Sequence, residues 1–152
     1  MIAVGDKAPL FNGIDQSSNP VDLEDFIGKK ALVIYFYPKN FTPGCVAEAC
    51  SFRDHYQAFT DLGALVIGIS ADSVASHARF VQKYKLPFTM IADKGNHIRK
   101  KYSVKPDLFG LIPGRETFVI DRQGIIKLRF NSLQATKHIP KALDILKTIV
   151  HA

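Results

Sequence analysis

The chain is poor in several features that would each place it in a particular class of protein. It has only two cysteines and no tryptophan in 152 residues, so it is not a disulfide scaffold. No apolar run reaches the roughly 20 residues that a membrane-spanning helix needs. The first residues lack the charged and apolar regions of a secretory signal. These absences predict a cytoplasmic protein with no membrane partner.

The signatures of common ligands are also missing. No G-x-G-x-x-G or Walker pattern occurs, so no nucleotide is implied. The formal net charge is +6, but the basic residues are scattered and form no stripe for nucleic acid. Cys45 and Cys50 have a C-x₄-C spacing that is unusual for zinc, and His55 alone does not complete four ligands. We therefore expect no nucleic acid, no cofactor and no metal.

The length and the 47% hydrophobic content predict one domain over residues 1–152 with a sizeable core. Apolar runs and turn residues predict the following order: a hairpin within 1–28, strand 31–37, helix 43–62, strand 64–70, helix 74–84, strand 88–92, helix 96–102, strands 116–121 and 125–130, and helix 135–150. We expect the apolar residues Leu108, Phe109 and Leu111 to hold the loop 103–113 in an ordered conformation. The alternation predicts an α/β fold, with a mixed central sheet, helices on both faces and an N-terminal β-hairpin.

Residues 35–54 carry the chemistry, with the sequence Y-F-Y-P-K-N-F-T-P-G-C-V-A-E-A-C-S-F-R-D. An apolar strand leads to Pro38, and Pro43 suits the first turn of a helix, where no backbone N–H is needed. Cys45 then lies in that first turn, where free N–H groups and the helix dipole favour a thiolate over a thiol. A buried core cysteine is the alternative, but the turn residues around Cys45 favour a reactive one.

Cys50 follows five positions later on the same predicted helix. A rise of about 1.5 Å and a rotation of about 100° per residue place the two Cα atoms about 8–9 Å apart on different faces. A disulfide needs less than about 7 Å. The two cysteines therefore cannot bond unless the helix locally unwinds.

Other polar residues can be interpreted in two ways from the sequence. Thr42 is either a helix N-cap alone or a hydroxyl group beside Cys45. Arg115, at the start of a buried strand, is either a solvated charge or a second positive group near the thiol. Histidines at four further positions show no partner pattern and are interpreted as surface or packing residues: His55, His77, His97 and His138.

The stretch 35–54, together with P-G-R-E-T-F-V-I-D and D-L-F-G-L-I-P-G-R, resembles the peroxiredoxins. The closest likeness is to the Q-type group, also called bacterioferritin comigratory protein, in its cyanobacterial and plastid branch. The likeness covers nearly the whole chain, and P-x-x-x-T-P-G-C with a downstream R-x-T-F is specific. Val46 and Asn40 stand where threonine and aspartate are frequent, away from the reacting atoms.

The resemblance implies a thioredoxin-like fold and reduction of hydrogen peroxide and organic hydroperoxides. It assigns Cys45 as the peroxidatic cysteine and Cys50 as the resolving one, with recycling by thioredoxin. It also implies that Thr42 and Arg115 take part in catalysis and that Pro38, Pro43 and Gly44 line the substrate pocket. Glu48 receives no catalytic role. A monomer is expected.

Two other functions are compatible with the same fold. A thiol–disulfide oxidoreductase acting on proteins is disfavoured because a C-x-x-C pair is missing and T-P-G-C is present. A non-enzymatic redox sensor or chaperone-like protein would be oxidised without rapid turnover.

Overall fold

The fold is built around the apolar run Ala31–Phe36, whose six residues are all buried. Such a continuous run suits a central strand that is covered on both faces. The structure, a computed structural model, describes residues 2–106, 110 and 112–150, without the side chain of residue 150. Leu108, Phe109 and Leu111, expected to order their loop, lie outside the described residues.

Seven strands form the sheets of the described chain. They are β1 (Asn12–Ile14), β2 (Pro20–Asp22), β3 (Ala31–Phe36), β4 (Ala64–Ser70), β5 (Thr89–Ala92), β6 (Glu116–Ile120) and β7 (Ile126–Asn131). The first two pair as the expected N-terminal hairpin. The other five form one sheet in the order β5-β4-β3-β6-β7. Because β3 is parallel to β4 and antiparallel to β6, the predicted mixed sheet is confirmed.

Five α-helices connect or follow these strands in the described residues. They are α1 (Pro43–Asp54), α2 (Tyr56–Asp61), α3 (Val74–Tyr84), α4 (His97–Lys101) and α5 (His138–Val150), with short 3-10 helices at Leu23–Phe26, Lys94–Asn96 and Ala135–Lys137. No described helix is both long and apolar enough to cross a bilayer.

The prediction of a single helix over 43–62 is wrong, because the helix is interrupted at His55. This residue has φ −103° and ψ 9°, outside the helical region. Its backbone N–H and its ring Nδ1 both lie within hydrogen-bond distance of the carbonyl of Ser51, at 3.1 and 2.8 Å. The ring therefore competes for a helical acceptor, which favours ending α1 at Asp54 and starting α2 at Tyr56, with His55 between them.

Alternate side chains of β3 enter two cores on opposite faces of the sheet. Val33 and Tyr35 face α1, α2, α3 and α5, whereas Leu32, Ile34 and Phe36 face α4 and the N-terminal segment. The prediction of helices on both faces is therefore confirmed. The strand ends directly before the loop 37–42, so both cores hold the start of that loop in place.

Candidate active site

Cys45 lies in the first turn of α1, directly after β3 and its loop. Its side chain is 1% exposed, and its helix begins at Pro43 with Thr42 in extended N-cap geometry. The free N–H groups of a helix start favour a negative charge on a nearby sulfur. Pro43 is exposed and Pro38 is half-buried at the end of the strand. The predicted strand, loop and helix start are therefore present, and Cys45 itself is buried in the core beneath α1.

Arg115 contacts Cys45, an arrangement that the sequence could not establish. The Nη2 atom of Arg115 donates to the Sγ atom of Cys45 at 3.3 Å. The contact exists because β6 pairs antiparallel with β3, which brings the residue before Glu116 next to the end of β3 at Phe36. Gly44 leaves room for the guanidinium, since a Cβ there would lie 3.1 Å from Nη2. A buried cation thus supports a thiolate at Cys45.

Glu48 is the partner on the other side of Arg115, and the sequence interpretation missed its role. Its side chain is fully buried, and its Oε1 lies 2.5 Å from Nη1 of Arg115. Burial raises the pKa of Glu48 to about 8, although Arg115 opposes this shift. Conversely, burial alone would lower the pKa of Arg115, but Glu48 and Cys45 raise it. The sequence did contain one signal for this contact: Glu48 lies three residues after Cys45, and residues three apart lie on one face of a helix.

His138 lies next to Glu48, on the far side of the cluster formed by Cys45, Arg115 and Glu48, and is uncharged. Its Nε2 donates to the carbonyl of Ser132 at 2.8 Å, and its Nδ1 accepts from the hydroxyl of Thr117 at 2.7 Å. Nδ1 also lies 3.8 Å from Oε2 of Glu48. Burial lowers the pKa of His138 to about 4. The ring is therefore neutral near neutral pH, and Arg115 supplies the positive charge of the cluster.

The loop before α1 is fixed by its own hydrogen bonds. The hydroxyl of Thr42 donates to the carbonyl of Lys39 at 2.8 Å and makes no cap bond to the helix. Asn40 accepts from the hydroxyl of Tyr37 at 2.6 Å, and its N–H donates to Asp72 at 2.9 Å. Thr42 is therefore an N-cap by backbone geometry only, and its side chain stabilises the turn.

Cys50 is half-buried on α1 and, like Cys45, is a free thiol. With α1 intact from Pro43 to Asp54, helix geometry keeps the two Cα atoms about 8–9 Å apart. The structure thus holds the two cysteines beyond the reach of a disulfide.

Comparisons with known proteins agree with this geometry. The sequence model of the AhpC/TSA family matches residues 4–129. Peroxiredoxin Q, chloroplastic, of Sedum lineare is 48% identical over 149 residues, which are 97% of this chain and 80% of the relative. The chain belongs to the AhpC/TSA family, in its peroxiredoxin Q group. Membership in this group makes the chain a peroxidase that acts through thiol chemistry.

Solved peroxiredoxin structures share the fold of this peroxiredoxin Q chain. Peroxidoxin BcpB from Mycobacterium tuberculosis has a TM-score of 0.90 and 32% identity, covering 98% of this chain and 99% of its own. Peroxiredoxin Q from Xanthomonas campestris has a TM-score of 0.84 and 28% identity, covering 92% and 91%. The predicted thioredoxin-like fold and the resemblance to Q-type peroxiredoxins are both confirmed.

The expectation of a cytoplasmic location is wrong. The relatives from Sedum lineare and Arabidopsis thaliana are both named chloroplastic, and the second is 49% identical over 94% of this chain and 66% of the relative. These names point to a plastid. The composition and packing of a folded domain are compatible with either compartment, so they carried no information on this point.

Proposed function

We propose that this peroxidase reduces hydrogen peroxide and organic hydroperoxides through Cys45, with Cys50 as the resolving cysteine and a thioredoxin-like dithiol as the reductant. The main support is the 3.3 Å contact between Nη2 of Arg115 and Sγ of Cys45 at a helix start. A buried sulfur held by a cation and by helix N–H groups is suited to act as a nucleophilic thiolate.

In the first step, the Cys45 thiolate attacks the terminal oxygen of the peroxide. An S–O bond forms and the O–O bond breaks, so Cys45 becomes a sulfenic acid while water or an alcohol leaves after taking one proton. Arg115 and the N–H groups at the start of α1 stabilise charge on the peroxide oxygens. The Thr42 hydroxyl donates its proton to Lys39, so its oxygen is left to accept a hydrogen bond from the peroxide. Pro38, Pro43 and Gly44 shape the surroundings of the sulfur.

In the second step, the thiol of Cys50 condenses with the sulfenic acid. A disulfide forms and one water leaves. Because an intact α1 keeps the cysteines too far apart, the segment between them unwinds first. A thioredoxin-like dithiol then reduces the disulfide by exchange. Both cysteines belong to one chain, so a monomer consisting of a single domain completes the cycle.

The decisive test is the intact mass and thiol count after one equivalent of hydrogen peroxide is added to reduced protein. We expect the wild type to lose both thiols and two hydrogens. We expect Cys50→Ser to gain oxygen on Cys45, because no resolving thiol is present. Mass is the better probe because the chain has no tryptophan for a fluorescence signal.

Two results would contradict the proposal in different ways. If neither protein reacts within minutes, the peroxidase assignment to Cys45 is wrong. If Cys50→Ser forms the same product as the wild type, Cys50 is not the resolving cysteine. A Cys45→Ser variant is the matched control and should leave Cys50 unmodified at the same dose.

A further inference from the structure

Arg99 is a buried arginine outside the cluster around Cys45 and is one of the basic residues that are scattered along the sequence. Its side chain is 6% exposed and lies over the ring of Phe36, with Cζ 5.6 Å from the ring centroid. Nη1 donates to the carbonyl of Gly114 at 2.6 Å, and Nη2 donates to the carbonyl of Tyr37 at 2.8 Å. One guanidinium thus joins two separate segments of main chain.

Both segments lead directly into the active site. Tyr37 is the first residue after β3 and begins the loop that leads to Cys45, whereas Gly114 directly precedes Arg115. The ladder between β3 and β6 ends with the pair Phe36 and Glu116. Beyond that pair the two segments no longer bond to each other in the ladder, and the guanidinium of Arg99 bridges them instead.

The position of Arg99 is itself fixed from behind. Asp93 follows β5, and its two carboxylate oxygens accept the backbone N–H groups of Ile98 and Arg99 at 2.9 and 3.0 Å. Asp93 in turn donates its own N–H to the carbonyl of Ser70, at the end of β4. The start of α4 is therefore tied to the sheet, which fixes the backbone from which the Arg99 side chain extends.

The segment before Arg115 is packed closely on a second side as well. A Cβ at Gly114 would lie 1.9 Å from the carbonyl oxygen of Lys105. Gly114 is therefore held between the backbone of residue 105 and the guanidinium of Arg99. A shift of this segment would carry Arg115 with it and lengthen the 3.3 Å contact to Cys45.

We propose that Arg99 is a positioning residue for the peroxidase reaction: by bridging the carbonyls of Tyr37 and Gly114, it sets the distance between Arg115 and Cys45. This inference rests on the proposed role of Cys45. Arg99 does not contact the reacting sulfur, so its effect passes through the two main-chain segments. Small misplacements of groups that stabilise charge reduce rates strongly, so loss of the bridge should be costly for the chemistry.

The test is Arg99→Lys in a Cys50→Ser background, because a single ammonium cannot reproduce the planar two-carbonyl bridge of a guanidinium. We expect the rate of reaction with hydrogen peroxide in a single turnover to fall on the order of tenfold. We also expect the midpoint of Cys45 thiolate formation, measured from the pH dependence of alkylation, to move to higher pH.

Arg129→Lys is the matched control. Arg129 likewise donates to two main-chain carbonyls, those of Ile2 and Ser103, and lies over the ring of Phe118 at 5.4 Å. It also pairs with the side chain of Glu116, the residue after Arg115, but it does not bond to the carbonyl of Tyr37 or of Gly114. We expect this variant to lower the melting temperature without moving the alkylation midpoint. Equal changes in both variants would overturn the proposal, because they would reflect general loss of stability.

An unchanged midpoint and rate in folded Arg99→Lys would also overturn the proposal. If that variant does not fold, Asp93→Asn tests the same contacts, since it weakens one bond that places Arg99. A smaller shift in the same direction is expected there, and no shift contradicts the inference. Alkylation requires no peroxide, so these results remain interpretable even if the peroxidase assignment to Cys45 fails.

Discussion

At the scale of single residues, Glu48 is the most unusual group in the active site. A carboxyl group with no exposure normally ionises only when its partners offset the loss of hydration. Arg115 contacts Glu48 and the thiol of Cys45 together. One guanidinium therefore faces two groups that can each carry a negative charge, and burial raises the pKa of the carboxyl to about 8.

The raised pKa of Glu48 makes the stability of the protein depend on pH. Because the folded state binds this proton more tightly than the unfolded state, the contribution is greatest below pH 4.5 and is lost as pH rises towards about 8. In this window, Glu48→Gln should make the free energy of unfolding fall less steeply with pH, by up to about 1.4 kcal/mol per pH unit. Urea unfolding across the window measures the slope.

Glu116→Gln is the control for this prediction. Glu116 is also buried and paired with an arginine, Arg129, so the same substitution there reports what the loss of a buried carboxylate–arginine pair does by itself. If Glu48→Gln and the wild type have the same slope, Glu48 is ionised across the window and the predicted proton is absent.

The residues named from the sequence were those that belong to short local motifs. Cys45 and Thr42 could be identified because a strand, a turn and a helix start lie within one stretch. The spacing of Glu48 from Cys45 is visible in the sequence, but the pairing of Glu48 with Arg115 and the roles of His138 and Arg99 could not be predicted, because each depends on a contact with a distant segment. Arg115 was found through resemblance to a family, and only the pairing of β3 with β6 explains why it reaches the sulfur.

At the scale of elements, the proposed cycle requires an α1 that is stable enough to hold Cys45 and weak enough to release Cys50. Its far end is anchored, since Phe52 stacks on Tyr35 at 4.5 Å and Arg53 donates to the carbonyl of Tyr84 at 2.8 Å. The break at His55 then ends the helix. The sequence showed the apolar spacing that continues into α2, but it could not show that a histidine ring would compete for a helical carbonyl.

Substitutions at Ser51 test whether unwinding of α1 limits resolution. Ser51→Ala raises helix propensity beside Cys50 and Ser51→Gly lowers it, with a total difference of about 1 kcal/mol, or roughly fivefold in an unwinding equilibrium. We expect more sulfinic acid on Cys45 in the alanine variant and less in the glycine variant. Mass spectrometry after matched peroxide doses, with a dithiol reductant present, measures the fraction.

The control for helix propensity is Ala78→Gly, an exposed position within α3. This variant should lose stability without changing the sulfinic acid fraction. Equal fractions in the two Ser51 variants would mean that unwinding of α1 does not limit disulfide formation.

At the scale of the whole molecule, two fully buried histidines link helices to other parts of the fold. His77 lies 3.0 Å from the side-chain amide of Asn40, through its Nδ1, and so links α3 to the loop before Cys45. His138 links α5 to β6 through Thr117. Burial lowers the pKa of both rings. The interpretation of these histidines as surface or packing residues thus underestimated how much of the fold they join.

The lowered pKa of His138 predicts acid sensitivity with the opposite sign to that of Glu48. The unfolded ring binds a proton near pH 6.5, whereas the folded ring does so only near pH 4, so stability present above pH 6.5 is lost as pH falls through this window. His138→Gln should reduce the loss between these pH values, by up to about 1.4 kcal/mol per pH unit, even if it lowers stability at neutral pH. Urea unfolding over the same range measures this slope. The exposed His97 provides the control, because His97→Gln removes a histidine that is not buried. A wild-type slope in His138→Gln would show that the buried ring is protonated in the folded protein. The assignment of His138 as a neutral ring beside Glu48 would then be wrong.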